Sequence, residues 1–175
     1  MTHTLIVGQT LSGKTGYAKM LCNWWLSRGV GAVVQDPMND PDWNKNGSNL
    51  FRIFSDPLEF LAFVKDPDEC QQCVIFVDEA GMSLNKYAEE FNWLTCQSRH
   101  HGHRAHIIAN RAEMVSKSIR SQCATLVAFN LNPDDAKQYS RDFNSVAVLD
   151  APNLKQGEFI KVTRFQDPQR GRLWK

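Results

Sequence analysis

The chain has 175 residues, 42% of them hydrophobic, with 20 lysines and arginines, 19 acidic residues and a formal net charge of +1. This length fits a single domain, 1–175, with a substantial core. The charge excludes a uniformly basic, histone-like surface. The chain does not open like a signal peptide, and no stretch approaches the roughly 20 apolar residues that span a bilayer. We therefore expect a cytoplasmic protein without a transmembrane segment.

The first predicted element is an apolar strand at 4–7, which runs directly into Gly-Gln-Thr-Leu-Ser-Gly-Lys-Thr at 8–15. This segment has the G-x-x-x-x-G-K-[ST] form of a P-loop, whose glycines let backbone N–H groups surround a pyrophosphate. Lys14 is expected on the β- and γ-phosphates and the Thr15 hydroxyl on Mg²⁺. A glycine turn that binds nothing is the alternative. The residues predicted to bind a nucleoside triphosphate are Gly8, Thr10, Leu11, Ser12, Gly13, Lys14, Thr15 and Gly16.

Helix and strand signals alternate along the rest of the chain, which predicts an α/β fold: a mostly parallel twisted sheet with helices on both faces. An edge strand is expected at 50–54, and a helix capped by Asp56 and Pro57 should run to about Lys65. The last two predicted strands, 147–149 and 159–162, are expected to form an antiparallel extension at the C-terminal end. Strands are predicted at 32–34, 50–54, 74–77, 105–109, 125–129, 147–149 and 159–162. Helices are predicted after the P-loop, from Asp56, over 84–101 and from Asn132 to near Phe143, with a short helical or irregular stretch around 115–119.

Two consecutive carboxylates, Asp78 and Glu79, follow the apolar strand 74–77. This pattern has the form of a Walker B element, in which a buried strand delivers an aspartate that holds Mg²⁺. Glu79 is then placed to polarise a water for attack on the γ-phosphate, which favours hydrolysis over phosphoryl transfer. Without the P-loop upstream, the pair would equally suit a solvated turn.

Asn110 follows the predicted strand 105–109. In a parallel sheet that strand tip lies beside the P-loop, so Asn110 is predicted to sense the γ-phosphate or orient the attacking water. An asparagine that simply caps the strand is the alternative, because asparagine is common at such turns.

Five cysteines form an odd set without the spacing of a disulfide framework, so we expect reduced thiols, mostly small core residues. Cys70 and Cys73 form a C-x-x-C pair, and four histidines cluster over 100–106. Together these groups could supply zinc ligands. No second C-x-x-C follows, and Cys73 runs directly into a strand, so the sequence leaves metal binding open and favours core packing.

Basic residues concentrate in two segments, 97–120 and a C-terminal tail at about 164–175. Such patches can hold a nucleic-acid backbone if several copies combine, although ordinary solvated surface is an equal alternative. The first patch contains Arg99, Arg104, Arg111, Lys117 and Arg120, and the second contains Arg164, Arg170, Arg172 and Lys175.

The combination of 8–15, Asp36-Pro37, Asp78-Glu79-Ala80, the Ser-Arg-His-His-Gly segment 98–102 and Asn110 resembles the FtsK/HerA superfamily of DNA-pumping ATPases. The short genome-packaging ATPases of tailless, membrane-containing viruses are the most similar members. The likeness covers about residues 4–130 and is strong only at the two Walker motifs. A glutamine usually stands in that family where this chain has Asn110.

This resemblance implies an ATPase that uses Mg²⁺ and moves DNA through backbone contacts with little sequence preference. It implies a hexameric ring in which an arginine of one subunit, here Arg99 or Arg120, reaches the neighbour's γ-phosphate. It further implies docking to a capsid vertex or membrane protein, in the host cytoplasm or in the virion. A capsid-filling translocase is therefore the main functional hypothesis.

Two other functions remain open at this stage. Zinc-containing thymidine kinases combine a similar P-loop with an Asp-Glu-Ala segment, but their later lasso with two cysteine pairs is missing here. A nucleotide-dependent phage assembly protein with negligible turnover is the third possibility.

Overall fold

The computed structural model describes residues 2–44, 46–81 and 88–174. Within them, eight strands form one sheet. The strands are β1 His3–Val7, β2 Ala32–Gln35, β3 Phe51–Phe54, β4 Val74–Val77, β5 Arg104–Ala109, β6 Cys123–Ala128, β7 Glu158–Thr163 and β8 Gln169–Arg172. Their order in the sheet is β3-β2-β4-β5-β1-β6-β7-β8.

The sheet is parallel from β3 to β6, and the last two strands run antiparallel to their neighbours. The central strands are apolar throughout, as β4 shows with Val-Ile-Phe-Val fully buried, because each is covered on both faces. This architecture confirms the predicted α/β fold, including the edge position of β3 and the antiparallel C-terminal extension.

The helices lie on both faces of the sheet, as predicted. They are α1 Lys14–Leu26, α2 Pro57–Lys65, α3 Ala88–Cys96, α4 Lys117–Gln122 and α5 Pro133–Asp142. Side chains alternate along each strand, so Ile6 of β1 packs in one core layer with α1. Leu5 and Val7 pack in the other layer with residues of α2, α3, α4 and α5.

Two helix starts follow the predicted capping chemistry. The Asp56 carboxylate accepts hydrogen bonds from the backbone N–H groups of Leu58 and Glu59, and Asn132 accepts one from Asp135 N at 2.8 Å. Each cap is followed by proline at the first helical position, where the missing N–H costs nothing. The ends at Lys65 and Asp142 agree with the expected ends to within a residue.

The prediction of a strand at 147–149 was wrong. These residues lie in a 3₁₀ helix, Val146–Asn153, whose buried positions Val148 and Ala151 are three residues apart, as the threefold repeat of that helix requires. The strand that pairs with β7 at the edge is instead β8, within the predicted basic tail.

The predicted helix 84–101 is only partly tested, because 82–87, including Tyr87, lie outside the described residues. The described part contains α3 and a separate 3₁₀ turn, Ser98–His101. Gly102 closes that turn with a left-handed backbone, φ 78°. No helix of the described residues is long and apolar enough to cross a membrane.

The expectation that all five cysteines are free thiols was also wrong. Cys70 and Cys73 are joined as a disulfide in this structure, because the turn between them brings their Cα atoms to 6.3 Å, within the range that a bond can bridge. Cys22, Cys96 and Cys123 are free.

Candidate nucleotide-hydrolysis site

The P-loop connects the C-terminal end of β1 to the start of α1, at the edge of the sheet where parallel strands place ligands. Gly13 has a left-handed φ of 117°. A Cβ there would lie 3.0 Å from Leu173 Cδ1 and 3.1 Å from Phe129 Cε1, so only glycine fits without displacing either side chain. The P-loop is thus packed between Phe129, which directly follows β6, and Leu173, which directly follows β8.

Main-chain and side-chain hydrogen bonds from distant parts of the chain fix the loop. Gln9 N donates to Asn130 O at 2.7 Å, Gly157 N donates to Ser12 O at 2.9 Å, and Gln156 Nε2 donates to Leu11 O at 3.0 Å. The buried Ser12 Oγ has no hydrogen-bond partner among the described residues. A braced loop that retains an unsatisfied polar atom suits a phosphate oxygen as the missing partner.

Lys14 spans its own loop. Its side chain is buried, and Nζ donates to the carbonyl oxygen of Gln9 at 2.9 Å. Burial lowers the Lys14 pKa, while the nearby carboxylates of Glu79 and Asp78 act in the opposite direction. The structure therefore brings Lys14 together with both predicted acidic residues, which are 64 and 65 positions further along the chain.

Asp78 follows β4 and is only 5% exposed. Burial raises its pKa to about 6, and the neighbouring carboxylates of Asp36 and Glu79 add to that effect. A hydrogen bond from the Thr15 side chain opposes it. A hydroxyl and a carboxylate held side by side provide the oxygen donors that Mg²⁺ prefers, so this chemistry fits the predicted metal ligands Thr15 and Asp78.

Asp36 was named from the sequence only as part of the family resemblance, and its carboxylate was not predicted to lie near Asp78 and raise the Asp78 pKa. Its buried carboxylate accepts hydrogen bonds from Met38 N at 2.9 Å and Asp40 N at 2.8 Å. The position could have been inferred from β2, which ends directly before it and pairs with β4, so that Gln35 is in register with Val77.

Glu79 and Asn110 are hydrogen-bonded to each other. Asn110 Nδ2 donates to Glu79 Oε2 at 3.0 Å, and Glu79 N donates to Asp78 Oδ1 at 2.9 Å. The contact arises because β5, which ends at Ala109, lies between β4 and the P-loop strand β1. The arrangement fixes one oxygen of the Glu79 carboxylate, Oε2.

The two predicted arginines lie away from this group. Arg99 is exposed in the 3₁₀ turn before β5 and acts electrostatically on His3 at the start of β1, so it is at the opposite edge of the sheet. Arg120 donates from Nε to Asp142 Oδ2 at 2.6 Å and from Nη1 to Ala112 O at 2.9 Å. Its side chain is 10% exposed.

Other residues at the P-loop were missed by sequence reasoning, since they come from the far end of the chain. An open cleft of about 210 Å³ lies beside the loop and is lined in part by Asn130, Leu154 and Gln156. Leu173 packs on Gly13, and the Trp174 ring covers Gly157. The only sequence signal for these contacts was the predicted antiparallel extension, which places the C-terminal strands in the same sheet as the P-loop strand β1.

A P-loop between β1 and α1, with an acidic pair on β4 and one strand between them, defines a P-loop ATPase fold. The structure of the genome packaging NTPase B204 from Sulfolobus turreted icosahedral virus 2 in complex with AMPPCP is similar, with a TM-score of 0.79 and 15% sequence identity. The match covers 98% of this chain and 96% of that chain.

Two further structures are also similar in fold. The pCW3 conjugation coupling protein TcpA, in its monomer form with ATPγS, has a TM-score of 0.75 at 14% identity over 98% of this chain and 59% of that chain. VirB4 of Thermoanaerobacter pseudethanolicus has a TM-score of 0.75 at 11% identity, over 97% and 88%. No family model and no curated protein sequence matches the chain. The resemblance to FtsK/HerA-type ATPases is confirmed at the level of the fold.

Proposed function

We propose that this chain is an ATPase that hydrolyses Mg²⁺-bound ATP and uses the energy to move DNA, packaging viral genomic DNA into a preformed capsid. The observation that carries the proposal is the group formed by Lys14, Thr15, Asp78, Glu79 and Asn110 at one edge of the sheet. A structural turn would not need an ammonium, a hydroxyl, two carboxylates and an amide gathered at one place in the fold.

The binding step uses the P-loop backbone and two side chains. The N–H groups of the loop and the Lys14 ammonium neutralise phosphate charge, and Ser12 Oγ can complete its hydrogen bonding there. Thr15 and Asp78 would hold Mg²⁺, which when bound draws negative charge from the β- and γ-phosphates. Asp78 must be ionised for this purpose, although burial disfavours that form.

The hydrolytic step depends on Glu79. One oxygen of the Glu79 carboxylate, Oε1, orients a water for in-line attack and takes up a proton of that water as the bond to the γ-phosphorus forms and the bond to the leaving phosphate oxygen breaks. Asn110 holds the other carboxylate oxygen through Nδ2. The carboxylate therefore stays in one orientation with little rotational freedom, which lowers the entropy lost in the transition state.

A ring of subunits is part of this proposal, hexameric by resemblance. Arg99 precedes the six-residue strand β5, whose length of about 20 Å separates it from the nucleotide edge of its own subunit. An arginine there can act only on a neighbour's γ-phosphate. We favour Arg99 over Arg120 because the Arg120 guanidinium is held by Asp142 and two backbone carbonyls.

DNA is the proposed cargo because of the similar proteins and the charge distribution. B204 is a genome packaging NTPase and TcpA is a conjugation coupling protein. Arg170 pairs with Asp150 and Arg172 with Glu158 in the C-terminal segment, and two arginines of the 97–120 segment are also paired with acidic residues, so ion pairing does not rank the two patches. Repeated around a ring, a modest patch can hold phosphates that one copy would bind weakly. Docking to a capsid vertex or membrane protein belongs to the same proposal.

The test is ATP hydrolysis by the full chain with and without long duplex DNA. We expect duplex DNA to stimulate hydrolysis, Lys14→Ala to abolish nucleotide binding, and Glu79→Gln to retain binding while the rate falls about 10²–10⁴-fold. Glu113→Gln is the matched control, since Glu113 is exposed and pairs with Arg111 on the surface. Its rate should equal that of the wild type.

Other outcomes would favour the alternatives. Turnover that strictly requires thymidine would identify a nucleoside kinase. Full biological function of Glu79→Gln would identify a nucleotide-dependent assembly protein without a hydrolytic role. Both substitutions lie at strand or loop ends, so only small changes in the free energy of unfolding are expected, and circular dichroism of each variant checks this.

A further inference from the structure

A second cluster of chemically reactive side chains lies far from the P-loop. Cys70, Cys73 and His103 are 2%, 8% and 1% exposed. Each offers one ligand atom, and these three atoms all lie within 4.8 Å of one another. Neither the nucleotide site nor the proposed ring uses these residues, so their convergence needs its own explanation.

The topology of the sheet brings the three residues together. Cys73 directly precedes β4 and His103 directly precedes β5, and the two strands pair in parallel with Val74 opposite Arg104. Cys73 and His103 therefore occupy equivalent places at the N-terminal edge of the sheet. The turn from Cys70 to Cys73 then returns the second thiol to the same point.

The surrounding backbone holds the His103 ring in place. Cys73 N donates to His103 Nδ1 at 3.2 Å, so this nitrogen points towards the cysteine turn. The backbone of Val64 also hydrogen-bonds to the ring. A metal at Nδ1 would replace the hydrogen bond that Cys73 N donates, since both use the same lone pair. The backbone contacts nevertheless fix the orientation of the ring, as is common for histidines that bind metals.

Gly102 allows the histidine segment to approach the cysteine turn closely. A Cβ at Gly102 would lie 2.8 Å from Gln72 Cγ, and its φ is +78°. Any other residue would have to displace the Gln72 side chain, which lies in the turn between the two cysteines, and would hold a strained backbone. The glycine that closes the 3₁₀ turn thus also sets the spacing of the cluster.

We propose that Cys70, Cys73 and His103 form a binding site for one Zn²⁺ ion when the two cysteines are thiols. Two thiolates and one imidazole are ligands that zinc prefers, whereas Mg²⁺ and Ca²⁺ require oxygen donors. Binding releases the two thiol protons to solvent and involves no electron transfer. A water completes the tetrahedral coordination. The disulfide seen here and the zinc complex are alternative states of the same two sulfur atoms.

This site would tie β4 to β5 at the edge opposite the hydrolytic residues. The sequence alone did not favour it, because a second C-x-x-C is missing. The third ligand instead comes from 30 residues beyond Cys73 and is visible only when the strands are paired. The proposal does not depend on ATP hydrolysis.

The experiment measures zinc in the full chain, purified with a reductant and without chelators and then desalted under inert gas. We expect about one zinc per chain in the wild type and background zinc in Cys73→Ser and His103→Gln. His100→Gln and Cys96→Ser are the matched controls, because both residues are near the cluster in sequence or type but outside it, and they should retain about one zinc. Equal zinc in His103→Gln and the wild type would overturn the proposal.

A second measurement on the wild type alone guards against variants that fail to fold. Co²⁺ added to the reduced chain should give the thiolate-to-cobalt absorption and the visible bands of tetrahedral cobalt, and one equivalent of Zn²⁺ should remove them. Reduced wild type that shows neither these bands nor bound zinc would overturn the proposal. The proposal would also be overturned if only three of the five cysteines reacted with a thiol reagent after reduction.

Discussion

At the scale of single residues, the contact between Asn110 and Glu79 is the feature with the clearest chemical consequence. Glu79 has a left-handed backbone with φ 45°, a conformation that costs about 1 kcal/mol or more in a residue with a Cβ. Its side chain is nevertheless held by Asn110 at 3.0 Å. Strain of this kind persists where the surrounding contacts determine the geometry, which is frequent at catalytic positions.

Asn110→Ala should therefore lower the rate of ATP hydrolysis by about 10–10²-fold, because the Glu79 carboxylate would rotate freely. The KM for ATP should change little, since Asn110 contacts neither the P-loop nor the metal ligands in the proposed site. Steady-state kinetics of the two proteins measure both quantities. Asn110→Gln retains an amide and should recover part of the rate; a fall in ATP affinity instead of rate would assign Asn110 to binding.

Asp78 predicts a dependence of stability on pH. Its pKa in the folded chain is about 6, above the usual 3.8, with burial as the largest cause. The folded protein therefore holds this proton more tightly than the unfolded chain, so this group's contribution to stability is present below about pH 4 and is lost as the pH rises through about 6.

At pH 7.5 the free energy of unfolding of Asp78→Asn should consequently exceed that of the wild type by about 2 kcal/mol, measured by urea denaturation. The difference should shrink towards pH 4. Asp134→Asn, which alters an exposed carboxylate, should show no such trend. Binding of Mg²⁺ to the wild type should weaken below about pH 6, because a proton competes with the metal for the Asp78 carboxylate. A stability gain that is equal at both pH values would contradict this account.

At the scale of elements, the sequence predicted what local rules determine. The apolar strand 74–77, the cap at Asp56 and the P-loop all follow from composition and spacing over a few residues, and each was found at the expected position. The strand predicted at 147–149 failed because an apolar run of three residues carries no periodicity that separates a strand from a 3₁₀ turn. The pairing of β8 with β7, and hence the support of the P-loop by Leu173, depends on contacts across the whole chain.

Gly157 tests that support. It has φ +79°, and a Cβ there would lie 2.7 Å from the Trp174 ring, while its N–H holds Ser12 O. Gly29 also has a positive φ, +73°, but nothing lies within 4 Å of its Cβ position. It is therefore a control for the backbone effect alone.

Both Gly157→Ala and Gly29→Ala should lose about 1 kcal/mol of stability from the strained backbone. Only Gly157→Ala should weaken ATP binding, because displacement of Trp174 releases the P-loop from the C-terminal strands. Chemical denaturation and nucleotide titration separate the two effects. Equal ATP affinity of both variants would show that the β7–β8 strand pair supports the fold without determining the conformation of the P-loop.

At the scale of the whole molecule, two sets of residues lie at opposite ends of the central strands. The nucleotide group lies at the C-terminal ends of β1, β4 and β5, whereas Arg99 and the Cys70, Cys73 and His103 cluster lie at their N-terminal ends. In the proposed ring, a second copy that presents its opposite edge would bring Arg99 to the hydrolytic site. The sequence could name Arg99 as a candidate, but its position relative to the nucleotide required the strand order.

Mixed assemblies test whether Arg99 acts between subunits. Arg99→Ala and Glu79→Gln should each hydrolyse ATP at least 10²-fold more slowly than the wild type. When the two variants are mixed in equal amounts and assembled together, about one quarter of the interfaces should pair an intact Glu79 with an intact Arg99, if the subunits are arranged at random in a ring of head-to-tail contacts. Hydrolysis should then recover towards that fraction of the wild-type rate. Arg120→Ala is the comparison, since Arg120 is bound to Asp142 within its own subunit and Arg99 is intact in this variant: its rate per Arg120→Ala subunit should not rise when Glu79→Gln subunits are added. Recovery with Arg120→Ala but not with Arg99→Ala would assign the intersubunit role to the other arginine.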